Sequence, residues 1–289
     1  SISAKKTSLR EEYPKELVQQ VQATVLQQQE DFGRIFTQQI LPELQQNHIH
    51  LYYGDAIKEE HKEIIREYFL SRVLSFLQPV ILQKDNQANV FLENNALYFI
   101  ADIESPAQPG KHLYALLNIP SGNLPRFLEL SPVGGDHYIV FLDDVIKENL
   151  QEVFPGYMIH GAYSVKLTRD AEMNLEDEFS GDIAEKIEKQ LEKRDIGHST
   201  RFLYDHSMPK ELIDFVRNYF LLREEEMIDG GRYHNLKDLG NLPNPTKEKL
   251  SYTTWLPVHH PGFPNHRSIF DSIREQEKLL HLPYHSYNY

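Results

Sequence analysis

The pattern of apolar residues changes at Pro79, and this change constrains the fold more than any other feature of the 289-residue chain. Before Pro79, apolar residues recur at spacings of three, four and seven, which is typical of amphipathic helices. After Pro79, short alternating segments separated by Pro-Gly and Gly-Gly pairs are typical of sheet strands. The pattern therefore predicts an α+β protein, with a helical arm over residues 1–78 and a mixed α+β domain over residues 79–289.

Two helices are predicted in the arm. The first runs from Lys15 to Asn47 and is expected to bend near Pro42, and the second runs from Lys58 to Leu77 and ends before Pro79. We expect the two helices to pair as an antiparallel hairpin. Because two helices cannot cover both of their apolar stripes, a further element must pack on them.

The domain after Pro79 is predicted to contain strands and helices in mixed order. Strands are expected at residues 96–104, 112–119, 126–130, 138–142, 157–168 and 200–204. Helices are expected at residues 143–153, 178–194, 209–222 and 268–280. Asp143 or Asp144 would cap the first of these helices, so we assign this acidic pair no catalytic role.

The segment Gly230–Asn244 is unlike a regular fold element, because it combines a Gly-Gly pair, three basic or imidazole side chains and a proline. The glycines permit a sharp turn that would present Arg232, His234 and Lys237 on one side. Such a loop is suited to binding an anion. We therefore predict these three residues as candidates for lining a phosphate path.

Arg169 is a fourth candidate for this path, because it follows the longest predicted strand and a guanidinium there can be fixed by a neighbouring carboxylate. Two plainer interpretations stay open. Arg169 would then form only a structural ion pair at the end of its strand. The Gly-Gly loop would simply be a turn that Tyr233 and Leu236 anchor.

Five segments, in this order along the chain, resemble the bacterial polyphosphate kinases. They are residues 114–128, 142–146 with 154–156, 162–172, 230–244 and 270–286. The resemblance implies that the intact enzyme transfers the terminal phosphate of ATP reversibly to polyphosphate, through a phosphohistidine and with magnesium. It also implies self-association into a homo-oligomer, and a middle domain similar to the phosphohistidine-phosphatase-like fold.

Family members are more than twice as long and carry the phosphohistidine in their C-terminal half. The resemblance therefore implies that the present chain is the end of the N-terminal helical domain plus the middle domain of such an enzyme. We expect it to be inactive alone, with no catalytic residue and no magnesium ligand of its own. Its expected roles are scaffold, subunit interface and one wall of the active-site channel.

The formal charge of −13 opposes binding to polyanions. Nucleic acid is therefore excluded as a partner, and any attraction for polyphosphate must come from a local basic lining. The chain has no cysteine, which agrees with a reducing cytoplasm, and peripheral attachment to the inner membrane is a second expectation. None of the 14 histidines lies in an established metal-ligand spacing, so no metal site is predicted.

Two other functions stay open at this point. The implied fold and the many histidines permit a stand-alone hydrolase of phosphohistidine or phosphoesters, although a fold alone does not define a function. The chain could equally be a pure assembly module. The nucleotide-binding motifs of P-loop proteins and protein kinases are absent from the sequence, so an ATP site would need a different construction.

Overall fold

A computed structural model of the chain describes residues 15–83, 90–169, 199–247, 249–263 and 268–286. The chain forms two compact units, Ser1–Pro243 and Asn244–Tyr289. The predicted helix at residues 178–194 lies outside the described residues. The predicted division of the chain at residue 78 stays a prediction.

The first predicted helix is confirmed and has an irregular segment just before Pro42. Helix α1 (Lys15–Ile35) continues through a π-helical segment, Phe36–Ile40, into α2 (Leu41–Gln46). The N–H of Leu41 donates to the carbonyl of Phe36, five residues earlier. A proline ring crowds the carbonyl four residues before it, and for Pro42 that carbonyl lies inside the π-helical segment.

The second predicted helix is also confirmed, but the two helices do not bury each other. Helix α3 (Glu59–Tyr68) continues through a π-helical segment and a short 3₁₀ turn to Phe76. Its buried side chains, including Phe69, pack in the main core of the domain. Phe36 instead packs in a separate cluster. Strand β1 (Ile49–Leu51) lies between the helices in sequence. The two helices thus pack against strands and not against each other as a hairpin, and the first helix leaves Phe32 and Ile35 exposed.

Nine strands are described, and they form two sheets. Beyond β1 they are β2 (Val80–Ile81), β3 (Leu97–Glu104), β4 (His112–Ile119), β5 (Phe127–Val133), β6 (Asp136–Phe141), β7 (Met158–Arg169), β8 (Ser199–Asp205) and β9 (Met227–Gly230). The larger sheet has the order β2-β4-β3-β7-β8-β9, and the smaller has the order β1-β6-β5. Of the seven pairs between these nine described strands, only β8–β9 and β1–β6 are parallel. All six predicted strands are confirmed, and β1, β2 and β9 were not predicted.

The helices of the mixed domain are shorter than predicted. They are α4 (Leu142–Glu148), α5 (Leu150–Val153), α6 (Lys210–Tyr219) and, in the second unit, α7 (Ile269–Glu275). Helix α4 is preceded by Phe141 at the N-cap, so the prediction that Asp143 or Asp144 caps it was wrong. Both acidic side chains lie inside the first turn and form long-range contacts instead.

The larger sheet is buried on both faces. Alternate residues of β3 enter two different cores: Phe99 packs with α3 and α4, whereas Ile100 packs with α6. The smaller sheet packs in the third cluster with Phe36 and with Tyr233, which follows β9. This cluster attaches the segment after β9 to the domain. No helix among the described residues combines the length and apolar character that crossing a bilayer requires.

Candidate functional site

The candidate site is built where the segment after β9 meets the start of α4. We call residues 230–243 the 230–243 loop. Gly230 pairs with Asp205 of β8, and the chain then passes beside α4, which begins directly after β6. A Cβ at Gly230 would lie 3.1 Å from Cε1 of His234 and 3.3 Å from the carbonyl oxygen of Tyr204. Only a glycine fits this turn without displacing its neighbours.

Asp144 is the centre of the contacts that hold the 230–243 loop. Its Oδ2 accepts a hydrogen bond from the hydroxyl of Tyr233 at 2.7 Å, and its Oδ1 accepts one from Nη2 of Arg232 at 3.1 Å. The amide of Gly54 donates to the same tyrosine hydroxyl at 2.9 Å. Burial raises the pKa of Asp144, and its partners Tyr233 and Arg232 oppose that rise. The carboxylate thus joins α4 to the loop, and the tyrosine hydroxyl joins the loop to the turn after β1.

The ring of Tyr233 is held by aromatic packing. It stacks on Phe141 at a centroid distance of 4.2 Å and lies 4.8 Å from the ring of Tyr53. Burial raises the pKa of the Tyr233 hydroxyl far above its usual range, so the group is a hydrogen-bond donor at every relevant pH. Tyr233 therefore anchors the loop through both its ring and its hydroxyl.

A second buried ion pair lies beside the first. Nη2 of Arg126 donates to Oδ1 of Asp143 at 2.9 Å and to the carbonyl of His234 at 3.3 Å. Burial raises the pKa of Asp143 to about 6, although Arg126 opposes the rise. Asp238, further along the loop, lies 3.8 Å from Nη1 of Arg126. One buried guanidinium therefore contacts the loop at two points.

His234 is buried and neutral. Its Nε2 lies 3.1 Å from the carbonyl oxygen of Ser164, to which it donates as the Nε2–H tautomer. Burial lowers the pKa of His234 to about 4. The Ser164 hydroxyl donates in turn to the carbonyl of Arg232 at 2.6 Å. His234 is thus a structural contact between the loop and β7, without a surface from which to contact a phosphate.

The four sequence candidates do not form one cluster. Arg232 is beside His234 in the loop, with 38% of its side chain exposed. Lys237 is exposed one turn further on, within a 3₁₀ segment. Arg169 lies at the far end of β7, where Nη1 donates to the carbonyl of Leu92 at 2.7 Å and the guanidinium covers the ring of Phe91. Arg169 and Arg232 share no partner among the described residues.

Sequence reasoning missed the groups that hold the site together: Arg126, Asp143, Asp144, Lys147 and Asp205. Lys147 lies 3.8 Å from Oδ2 of Asp205, and burial lowers its pKa. A signal was present in the sequence, because Asp143 and Asp144 are flanked by apolar residues on both sides and charged groups in such surroundings need partners. The partners themselves are distant in sequence.

The site holds the positively charged guanidinium of Arg232 in a fixed position, but its described residues do not include an exposed nucleophile. Asp144 uses one Nη of Arg232, and the exposed remainder of the guanidinium still has donors for an anion. Outside the site, His48 and His50 both contact Asp136, at 2.7 and 3.0 Å. What the arrangement offers chemically is a guanidinium fixed by Asp144 and, five residues further along the loop, an exposed lysine.

Comparison with known proteins identifies the family. Residues 60–242 match the family model described as the polyphosphate kinase middle domain. The polyphosphate kinase of Yersinia pestis is 31% identical over 280 residues, which are 94% of this chain and 40% of that protein. The polyphosphate kinase of Escherichia coli strain K12 is 30% identical over 285 residues, which are 96% of this chain and 41% of that protein.

A solved structure agrees with these matches. The crystal structure of polyphosphate kinase from Porphyromonas gingivalis superimposes with a TM-score of 0.76 at 33% sequence identity. The match covers 95% of this chain and 39% of that one. The chain thus spans about two fifths of the length of the relatives it matches.

Proposed function

The chain belongs to the polyphosphate kinase family, and from this premise we propose that it is a scaffold part of an enzyme that transfers the terminal phosphate of ATP to polyphosphate. In this proposal the phosphate-accepting histidine, the ATP site and the magnesium ligands lie elsewhere in the intact enzyme. The chain supplies the framework, subunit contacts and one wall of the phosphate path.

One observation carries the proposal. Buried contacts of Asp144, Tyr233 and Arg126 fix the 230–243 loop on the domain. Arg232 and Lys237 stay accessible on the same loop. Phosphoryl transfer depends on positive groups that are already positioned when charge develops on the phosphate oxygens. A guanidinium held by a buried carboxylate meets this requirement, because its orientation does not have to be established during binding. His234 contributes to holding the loop and not to contacting phosphate. Arg169 stays a separate candidate.

The experiment is a titration of the chain with short-chain polyphosphate, followed by ³¹P NMR at low salt. We expect weak, salt-sensitive binding, since the net charge of −13 opposes it. Arg232→Ala and Lys237→Ala should each weaken binding several-fold. Lys111→Ala, which removes an exposed lysine on the β3–β4 turn, is the matched control and should have no effect. Equal binding by all four proteins would contradict the proposed wall.

Self-association forms part of the same proposal. Apolar side chains along the first helix, including Phe32 and Ile35, are 41% and 44% exposed. An exposed apolar stripe of this kind is a common mark of a protein contact. Sedimentation of the chain at increasing concentration should reveal an oligomer that Phe32→Glu weakens. A monomer at high micromolar concentration would contradict the interface role.

A further inference from the structure

We propose that Glu104, His112 and His160 form a binding site for a Zn²⁺ ion at the edge of the larger sheet. The three residues come from three neighbouring strands, β3, β4 and β7. One ligand atom from each lies within 4.8 Å of those from the other two. Among the described residues this is the one group of three His, Cys, Asp or Glu side chains that meets this distance.

The strand register explains why the three side chains meet. Glu104 is directly opposite His112 in the β3–β4 pair, so the two side chains lie on the same face of the sheet. In the β3–β7 pair, Asp102 faces Gly161 and Ile103 faces Ile159, which leaves His160 as the extra residue of a β-bulge. Bulges redirect a side chain. Here the imidazole of His160 is brought to within 2.9 Å of Oε2 of Glu104.

The donor set suits zinc. Two imidazole nitrogens and one carboxylate oxygen are a recurrent three-ligand set for Zn²⁺, with water in the fourth position. Ligand atoms that share a tetrahedral zinc ion lie roughly 3–3.5 Å apart, given bonds of about 2.0–2.1 Å. The rings of His112 and His160 are 4.6 Å apart, so small side-chain rotations bring the donors to that spacing. Both rings are accessible, with 47% and 32% of their side chains exposed.

Neighbouring groups already orient two of the ligands. Oδ1 of the buried Asp102 lies 2.7 Å from Nδ1 of His112, which leaves Nε2 of that ring free to bind the metal. A carboxylate behind a metal-binding histidine is the usual outer-shell arrangement, and it fixes both the tautomer and the ring orientation. The amide of Gly110 donates to Oε1 of Glu104 at 2.9 Å, so Oε2 points to the imidazole of His160.

The test is calorimetric titration of the chain, after removal of any affinity tag, with Zn²⁺, together with visible spectroscopy using Co²⁺. We expect one ion per chain and the absorption bands of low-coordinate Co²⁺. His160→Ala should weaken binding by more than about 100-fold, because a lost ligand costs more than a lost outer-shell partner. Asp102→Asn should weaken it by about 10-fold or more. Zn²⁺ should raise the melting temperature of the wild type but not of His160→Ala.

Two further variants complete the design. Glu104→Gln keeps an acceptor for the Gly110 amide and so preserves the turn, but it removes the anionic ligand and should lose most of the affinity. His206→Ala is the matched control, because it removes an exposed histidine that lies 3.7 Å from a carboxylate oxygen of Asp205 and belongs to no such group of three among the described residues. Absence of stoichiometric binding by the wild type would overturn the proposal. Retained affinity in both His160→Ala and Glu104→Gln would overturn it equally.

Discussion

Removing the Tyr233 hydroxyl tests how the 230–243 loop is fixed. Tyr233→Phe keeps the ring that stacks on Phe141 and packs at a tilt against Tyr53, so the aromatic packing is conserved. The change removes one oxygen and two hydrogen bonds. Oδ2 of Asp144 loses its donor, and the amide of Gly54 loses its acceptor.

The expected cost follows from these two losses. A hydrogen bond to a charged group contributes about 1.5–3 kcal/mol, and a bond between neutral groups contributes about 1 kcal/mol. Asp144 is 5% exposed, so water cannot readily replace the lost donor. The free energy of unfolding should therefore fall by about 3 kcal/mol. The pKa of Asp144 should also rise further, because the tyrosine hydroxyl lowers it in the wild type.

Urea denaturation followed by far-UV circular dichroism measures this change. The single tryptophan, Trp255, lies in the other compact unit, so its fluorescence is a poor reporter for this region. Tyr53→Phe is the matched control, because it removes the hydroxyl of the adjacent ring. No hydrogen bond of that hydroxyl is found among the described residues. Tyr53→Phe should change the stability by less than about 0.5 kcal/mol. Equal, small effects of the two variants would refute the reasoning.

Three further predictions concern the same region. Neutral His234 should make stability fall as the pH drops from 6.5 towards its folded-state pKa of about 4. Between pH 7.5 and 5 this loss amounts to about 2 kcal/mol in denaturation curves, and His234→Gln should lose this dependence. Asp143→Ala leaves the buried Arg126 without its carboxylate and should lower the free energy of unfolding by about 3–5 kcal/mol, whereas a loss under 1 kcal/mol would contradict a buried pair. Gly54→Ala should lower the free energy of unfolding by about 1–3 kcal/mol, because residue 54 has φ +81° and its added Cβ would lie 3.4 Å from Nη1 of Arg232. An unchanged denaturation midpoint would contradict the expected backbone strain.

The sequence predicted regular elements well because their signals are local. Strand β4 begins at His112 and ends at Ile119, as the alternation of apolar residues predicted. The long helix changes to π-helical hydrogen bonding just before Pro42. Strand β9 was missed because Met227–Gly230 is too short to show a period. Strand β9 forms because it pairs in parallel with the edge of β8, and no local sequence pattern indicates this pairing.

The site was less predictable, because its contacts join residues far apart in the chain. Asp144 and Tyr233 are 89 positions apart, and Arg126 and His234 are 108 positions apart. Local propensity favoured Asp143 and Asp144 as capping residues at the start of a helix. Tertiary contacts instead bury both side chains inside the domain. His160 gives another example, since alternation along β7 does not reveal the bulge that turns its imidazole towards Glu104.

The most direct test of the account is incubation of the chain with γ-labelled ATP, magnesium and polyphosphate, with analysis for acid-labile phosphohistidine and for longer polymer. We propose a scaffold role for the chain, and the one histidine of the 230–243 loop is buried with a carbonyl partner. We therefore expect neither product. Histidine labelling or polymer extension by the purified chain would contradict the scaffold role.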